Sequence, residues 1–241
     1  MIEALDSFRQ LTLLSVLLRL FIAALVGGLL GLERARKGRA AGFRTYMLVS
    51  LGAALTFLIA QYNVEYVNSV WSKLFNDIGV KADISRFSAQ VINGIGFLGA
   101  GTIIVTGRQQ VKGLTTAAGL WASGCMGIAV GAGFYECVLI GFALVAVCMR
   151  SFNALESRLV EKSRFLNIYV EFTSMDDVSR IISRVRSRNA QILDIDLNKG
   201  SDKKAIRPSM VLAIKLAEKQ RHSDVVADIS ELVRVHTIEE I

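Results

Sequence analysis

The sequence holds little from which a reactive centre is built. Proline occurs once, histidine twice and cysteine three times in 241 residues. Both histidines, His222 and His236, stand far from every long apolar run, which makes them surface residues of a polar region and not ligands. Cys125, Cys137 and Cys148 are odd in number, fall in apolar segments and lack C-x-x-C spacing. They read as small hydrophobes, not as a metal or disulfide framework. No nucleophile stands beside a base, so no enzyme chemistry, metal or cofactor is expected. The N-terminus has no basic region and no small-residue cleavage site, and it does not read as a signal peptide.

The net charge of +7 raises the question of nucleic acid, and the location of the charge answers it. Residues 33–44 carry five basic side chains against Glu33 alone, whereas from Arg164 onward thirteen basic residues face twelve acidic ones. Most of the excess sits in one short loop beside an apolar run, as the positive-inside rule requires, so no nucleic-acid partner is expected.

What the chain has in quantity is apolar sequence, 52% of its residues, and glycine, 20 of them. Gly94, Gly96 and Gly99 fit the G-x-G-x-x-G fingerprint of a nucleotide-binding turn, but they lie inside an apolar run without the flanking strand and acidic residue of that motif. A membrane helix whose glycines bring backbones together is the better reading. Five spans are expected, at about 11–32, 43–61, 87–106, 114–133 and 134–149. Segment 64–80 is an outer amphipathic helix at the interface or a loop helix packed on the spans. Gly27 and Gly31 continue a four-residue spacing from Arg19 and Ala23, and Thr115, Gly119, Ser123, Gly127 and Gly131 form a second such ladder. Together with Gly94, Gly96, Gly99 and Gly101 these glycines are expected to pack helices. The basic loops share a side only with five spans, which puts the N-terminus outside and the C-terminus in the cytoplasm.

Residues 151–163 read as an amphipathic connecting helix, and 164–241 as a cytoplasmic soluble domain. In the latter, strand periodicity at 165–173, 191–198, from Pro208 to Leu216 and at 233–238 alternates with helix stripes after Ser174 and at 222–232. The order βαββαβ suggests a ferredoxin-like α+β domain.

Arg19 is the only charge deep in an expected span. It lies about 9 Å down, level with Gln90 and Asn93, and those amides or the Asp83 carboxylate are its expected partners unless it snorkels to the headgroups. At the other end Glu33, Arg34, Arg44 and Thr45 meet Lys112, Thr115 and Thr116 at one level. This is either a polar site that gates the bundle or receives a partner, or a salt-bridge cluster that fixes topology.

Several motifs occur in order: Arg19-Leu-Phe-Ile-Ala-Ala with Gly27 to Glu33-Arg34, Ala41-Gly-Phe-Arg44-Thr45, Asp83-Ile-Ser-Arg86, Gly94-Ile-Gly-Phe-Leu-Gly-Ala-Gly101 and Gly113-Leu-Thr-Thr-Ala-Ala-Gly-Leu-Trp121. Over about residues 13–150 the chain resembles the MgtC/SapB family of bacterial inner-membrane proteins, and its tail is similar to the ACT-like domain of longer MgtC-type members. Ile84 departs from the family, which commonly has proline there. The resemblance implies a multi-pass inner-membrane regulator used when magnesium is scarce and in virulence-type survival, tied to restraint of the F-type ATP synthase. It favours function for Glu33, Arg44, Thr45, Thr115 and Thr116, and its motifs include Arg34, Asp83 and Arg86, while Asn93 is a candidate for its depth beside Arg19. The bilayer and a membrane protein such as that synthase are the expected partners, and a homo-oligomer, a dimer, is expected. A transporter or channel for magnesium or another ion is the alternative, opposed by the cationic charge at depth.

Overall fold

The computed structural model of the chain describes residues 8–71, 83–106, 110–161, 163–200, 207–217, 220–232 and 235–241, with backbone alone over 151–161. The chain divides into a helical unit that ends at Met149 and a second unit made up mainly of Arg150–Ile241.

In the helical unit, α1 (Leu13–Arg36) starts where the extended Thr12 accepts the Ser15 amide on its hydroxyl. There follow α2 (Phe43–Ser69), α3 (Ser85–Ala100), a hairpin of β1 (Ile104–Val105) and β2 (Val111–Lys112), α4 (Leu114–Gly131) and α5 (Tyr135–Glu161). Among the described residues α1, α2 and α4 are long and apolar enough to cross a membrane. They pack on one another, and small residues on two of them set the spacing. Tyr46, Ser50 and Ala54 recur every fourth residue along α2. From α1, a Cβ on Gly27 would stand 2.6 Å from the Tyr46 carbonyl oxygen, and one on Gly31 2.8 Å from that of Gly42. From α4, a Cβ on Gly119 would overlap the Tyr46 hydroxyl, one on Gly127 the Ser50 carbonyl, and one on Gly131 would come within 2.8 Å of the Ala54 carbonyl. Ala23, Leu30, Tyr46, Ala54, Leu120 and Val130 fill the core, which Val138 and Met149 of α5 join.

Three expectations need correction. The third span, read as 87–106, stops being helix at Ala100. Thr102 turns back, its amide and hydroxyl both donating to the Gly99 carbonyl oxygen, and the β-branched run Ile103-Ile104-Val105 enters the hairpin instead. Gly113 closes that hairpin onto α4 at φ 99°, where a Cβ would overlap the Thr102 carbonyl, so only glycine fits. The second span runs on to Ser69, so the start of the 64–80 segment is the last turns of α2, while 72–80 lie outside the described residues. The connector 151–163 is not a helix of its own up to Glu161, because α5 continues through it without a break.

The second unit contains β3 (Phe165–Phe172), α6 (Asp177–Ser187), β4 (Gln191–Asn198), β5 (Ser209–Lys215), α7 (His222–Ser230) and β6 (Val235–Glu240). The sheet order is β4-β5-β3-β6, and every neighbouring pair is antiparallel. Leu166, Ile168 and Val170 of β3 stand opposite Ile214, Leu212 and Met210 of β5, and this face packs against Ile181 and Val185 of α6 and Val225 and Ile229 of α7. At the start of α6 the Asp177 carboxylate accepts the Ser174 amide at 3.1 Å, one half of a capping box.

Candidate functional site

Two polar clusters occupy opposite ends of the helical unit. At the end where α1 begins and α4 stops, Arg19 is fully buried. A guanidinium in that position needs acceptors on several sides, and the C-terminal end of α4, negative in dipole and rich in free carbonyls, supplies one. Nη1 donates to the Gly131 carbonyl oxygen at 2.8 Å and to Gln61 Oε1 at 3.0 Å, and Nη2 to the Phe8 carbonyl oxygen at 3.0 Å. The Phe8 carbonyl also accepts from Ser15 Oγ and from the Tyr135 hydroxyl. Next to it Arg9 pairs with Glu136 at 2.7 Å and donates through Nε to the Gly133 carbonyl. Snorkelling is therefore replaced by a network that ties α1, α2, α4 and the start of α5 to residues before α1.

The expected partners of Arg19 are elsewhere. Gln90 and Asn93 are exposed on α3, and Asp83 accepts from the amide and hydroxyl of Ser85, which hold its carboxyl below the usual carboxylate range. Arg86 is exposed as well. Residue types predicted amides and a carboxylate because two of the true acceptors are backbone carbonyls, which no side-chain pattern reveals; Gln61 was the one legible signal, at the edge of the expected second span.

At the opposite end the cluster separates into a buried part and an exposed part. Glu33 bridges to Lys37 at 2.7 Å, and Arg44, Thr45, Thr115 and Lys112 are exposed. Arg34 is only 3% exposed and interacts with Tyr46, whose hydroxyl donates to the carbonyl oxygen of the buried Thr116 at 3.2 Å. Ser123 Oγ donates to the Tyr46 carbonyl at 3.0 Å. Tyr46 thus links α1, α2 and α4, a role the sequence did not mark.

The glycines of α3 also need correction. A Cβ on Gly94 or Gly96 meets nothing within 4 Å, and on Gly101 only the carbonyls of its own last turn, whereas on Gly99 it would make ordinary contact with Ala117 of α4. Of these four glycines, among the described residues, only Gly99 touches another helix. In the second unit His222 is buried, not at the surface: Nδ1 lies 2.6 Å from Glu240 Oε1 and Nε2 2.9 Å from the Ser163 carbonyl.

A model of the MgtC family matches residues 20–158, more than half of the chain. The chain belongs to the MgtC family. It is 36% identical over 152 residues to "Putative magnesium transporter YhiD" of Escherichia coli K12, covering 63% of this chain and 67% of that protein. It is 26% identical over 224 residues to "Protein SapB" of Bacillus subtilis 168, covering 90% of this chain and 91% of that one, so this similarity runs on through the second unit. A solved ACT domain from the GTP pyrophosphokinase of Chlorobium tepidum aligns with 32% of this chain and 96% of its own length, at 15% identity and a TM-score of 0.27. With the three apolar helices, membership of the MgtC family makes this a multi-pass membrane protein.

Proposed function

We propose that this MgtC-family chain is a regulator in the bacterial inner membrane that serves adaptation to low magnesium, including survival in a host, by binding a membrane partner such as the F-type ATP synthase. The observation that carries the reading is the sign of the buried charge. Among the described residues of the helical unit, the two buried charged side chains, Arg19 and Arg34, are both cations, one at each end of the bundle. A magnesium path needs oxygen ligands along its length, and a fixed guanidinium at each end opposes a divalent cation.

Five spans are part of this reading. α3 and α5 carry apolar side chains turned away from the bundle, with Phe97 81% and Leu139 74% exposed, a state that lipid tolerates and water does not. The basic loop after α1 then faces the cytoplasm, the N-terminus lies outside, and the second unit is cytoplasmic. The second unit is a ferredoxin-like, ACT-like module, for which the strand order and antiparallel pairing speak. It serves a ligand or dimerisation and performs no catalysis. Co-purification from magnesium-starved membranes tests the proposal: recovery of ATP synthase subunits with the wild type is expected, and their absence counts against that partner. The second reading, an ion transporter, draws on the name of the Escherichia coli relative. Proteoliposomes containing this protein alone and passing magnesium down a gradient would establish it in place of the first.

A further inference from the structure

α2 and α3 part around a groove of about 420 Å³, lined by Thr56 of α2 and by Arg86, Phe87, Gln90 and Val91 of α3. The groove lies toward the end of the bundle where α1 begins, because Ile84, just before α3, shares a separate cavity with Leu11 and with Gln61 and Ser69 of α2. Its wall is mostly apolar, and two of its polar side chains are idle. Arg86 and Gln90 are exposed, and neither side chain makes a hydrogen bond or ion pair among the described residues. The neighbouring carboxylate, Asp83, accepts from the amide and hydroxyl of Ser85. The Thr56 hydroxyl donates to the Gly52 carbonyl of its own helix.

An amide or a guanidinium left facing hydrocarbon without an acceptor is costly, so the occupant of the groove has to carry oxygen as well as apolar surface. The order of groups along α3 says which oxygens and where. Arg86 stands in the first turn, and Gln90 follows one turn and about 6 Å deeper, with Phe87 and Val91 beside them. Beyond Gln90 the helix surface opens, since a Cβ on Gly94 meets nothing within 4 Å. A glycerophospholipid presents its own groups in that sequence: a phosphate at the membrane surface, ester carbonyls beneath it, then acyl chain. A neighbouring helix, by contrast, satisfies its own carbonyls and offers acceptors only through matched side chains.

We propose that the groove between α2 and α3 holds one glycerophospholipid, with the Arg86 guanidinium on its phosphate, the Gln90 amide on an ester carbonyl and an acyl chain laid along Phe87 and Val91. The site rests on the reading of α3 as a membrane span and is independent of the role in magnesium adaptation.

The test titrates phosphatidylglycerol into the full chain, delipidated in detergent, and counts bound lipid by native mass spectrometry. Diacylglycerol of the same chains is the control that lacks the phosphate. One phosphatidylglycerol per chain is expected to be retained well below the concentration at which further ones add, and diacylglycerol is expected not to be. Arg86→Gln removes the phosphate partner and is expected to need about tenfold more lipid for the same occupancy. Val91→Phe narrows the groove and is expected to abolish retention, whereas Arg39→Gln, which removes an exposed cation at the opposite end of the bundle, leaves it unchanged. A wild type that retains no phosphatidylglycerol, or retains diacylglycerol equally, overturns the proposal with no variant required to fold. Arg86→Gln binding at wild-type concentrations overturns it too, as does a lipid-free dimer that Val91→Phe turns into monomer, which gives the groove to a second copy. The span is read separately. Phe97→Cys, combined with Cys125→Ser, Cys137→Ser and Cys148→Ser, is expected to escape a membrane-impermeant maleimide in membrane fragments open to both sides. Labelling there sinks the five-span reading and the site with it; protection without retained lipid sinks the site alone.

Discussion

In α4 the glycines are closed off by neighbouring helices, whereas in α3 two of the three meet nothing within 4 Å among the described residues. Gly119, Gly127 and Gly131 leave no room for a methyl group against Tyr46, Ser50 and Ala54, while Gly94 and Gly96 open onto free space. Both helices carry a glycine-rich stretch in an apolar run, and the difference is one of regular spacing. In α4 the small residues repeat every fourth position from Gly119 to Gly131 and so stay on one face. In α3 Gly94, Gly96 and Gly99 fall on different faces of the helix, and only Gly99 is directed at α4. Glycine content marks a membrane helix, but the interval between glycines marks which side of it is occupied.

The largest effect expected from this contrast is at Gly127. Gly127→Ala sets a methyl group on the Ser50 carbonyl, where backbone must move, and a loss of about 3 kcal/mol or more is expected from overpacking. Failure to accumulate in membranes, or a sharply lowered melting point in detergent, would register it; a variant as stable as the wild type would break the comparison. Next comes the end of α4. Arg19→Met leaves the Gly131 carbonyl, Gln61 and the Phe8 carbonyl without their donor, and about 3 kcal/mol is expected by analogy with breaking a buried charged network. Equilibrium unfolding in mixed detergent is the measurement.

A smaller effect, and a control outside the bundle, lies in the second unit. Asp228 of α7 lies 3.0 Å from both Arg184 and Arg188, and the hydrogen bond from Arg188 leads the causes that hold its carboxyl below the usual range. Because the folded-state value is depressed, this contribution is present above the ordinary carboxylate range and is lost as pH falls through the lowered folded value. Asp228→Asn is expected to lower the melting temperature by about a degree or two at neutral pH and to converge with the wild type in acid. A pH series of melts on both proteins checks the convergence. Gly94→Ala is expected to have the smallest effect, neutral or stabilising by up to about 1 kcal/mol through helix propensity. A marked loss would mean that the open face of α3 is occupied by another chain.

The parts of the fold that were legible in sequence share a cause. In β3 and β5 every second residue, Leu166, Ile168, Val170 and Phe172 and Met210, Leu212 and Ile214, is apolar and lies in the core, the period of a strand. α1 and α4 were legible from length and apolarity. Apolarity also misled, since Thr102 to Thr106 is as apolar as a helix would be and only its β-branching distinguishes a strand. At the sites, burial of Arg19 was one of two readings beside snorkelling, and its acceptors were not foreseen, because backbone carbonyls at Phe8 and Gly131 depend on where chain segments end. His222 was misplaced for a related reason: Glu240 and the Ser163 carbonyl come to it from 18 and 59 residues away.

The network at Arg19 constrains how the protein is made. Gly131 lies 112 residues after the arginine, and Tyr135 lies 127 residues after Phe8. A ribosome delivers the guanidinium long before either of them. For much of translation the first helix therefore holds an unquenched charge that headgroups or water must accommodate, and its resting position becomes available only when the fourth helix has emerged. A chain arrested before that point would be missing its last helices and would also hold its first one in a provisional place.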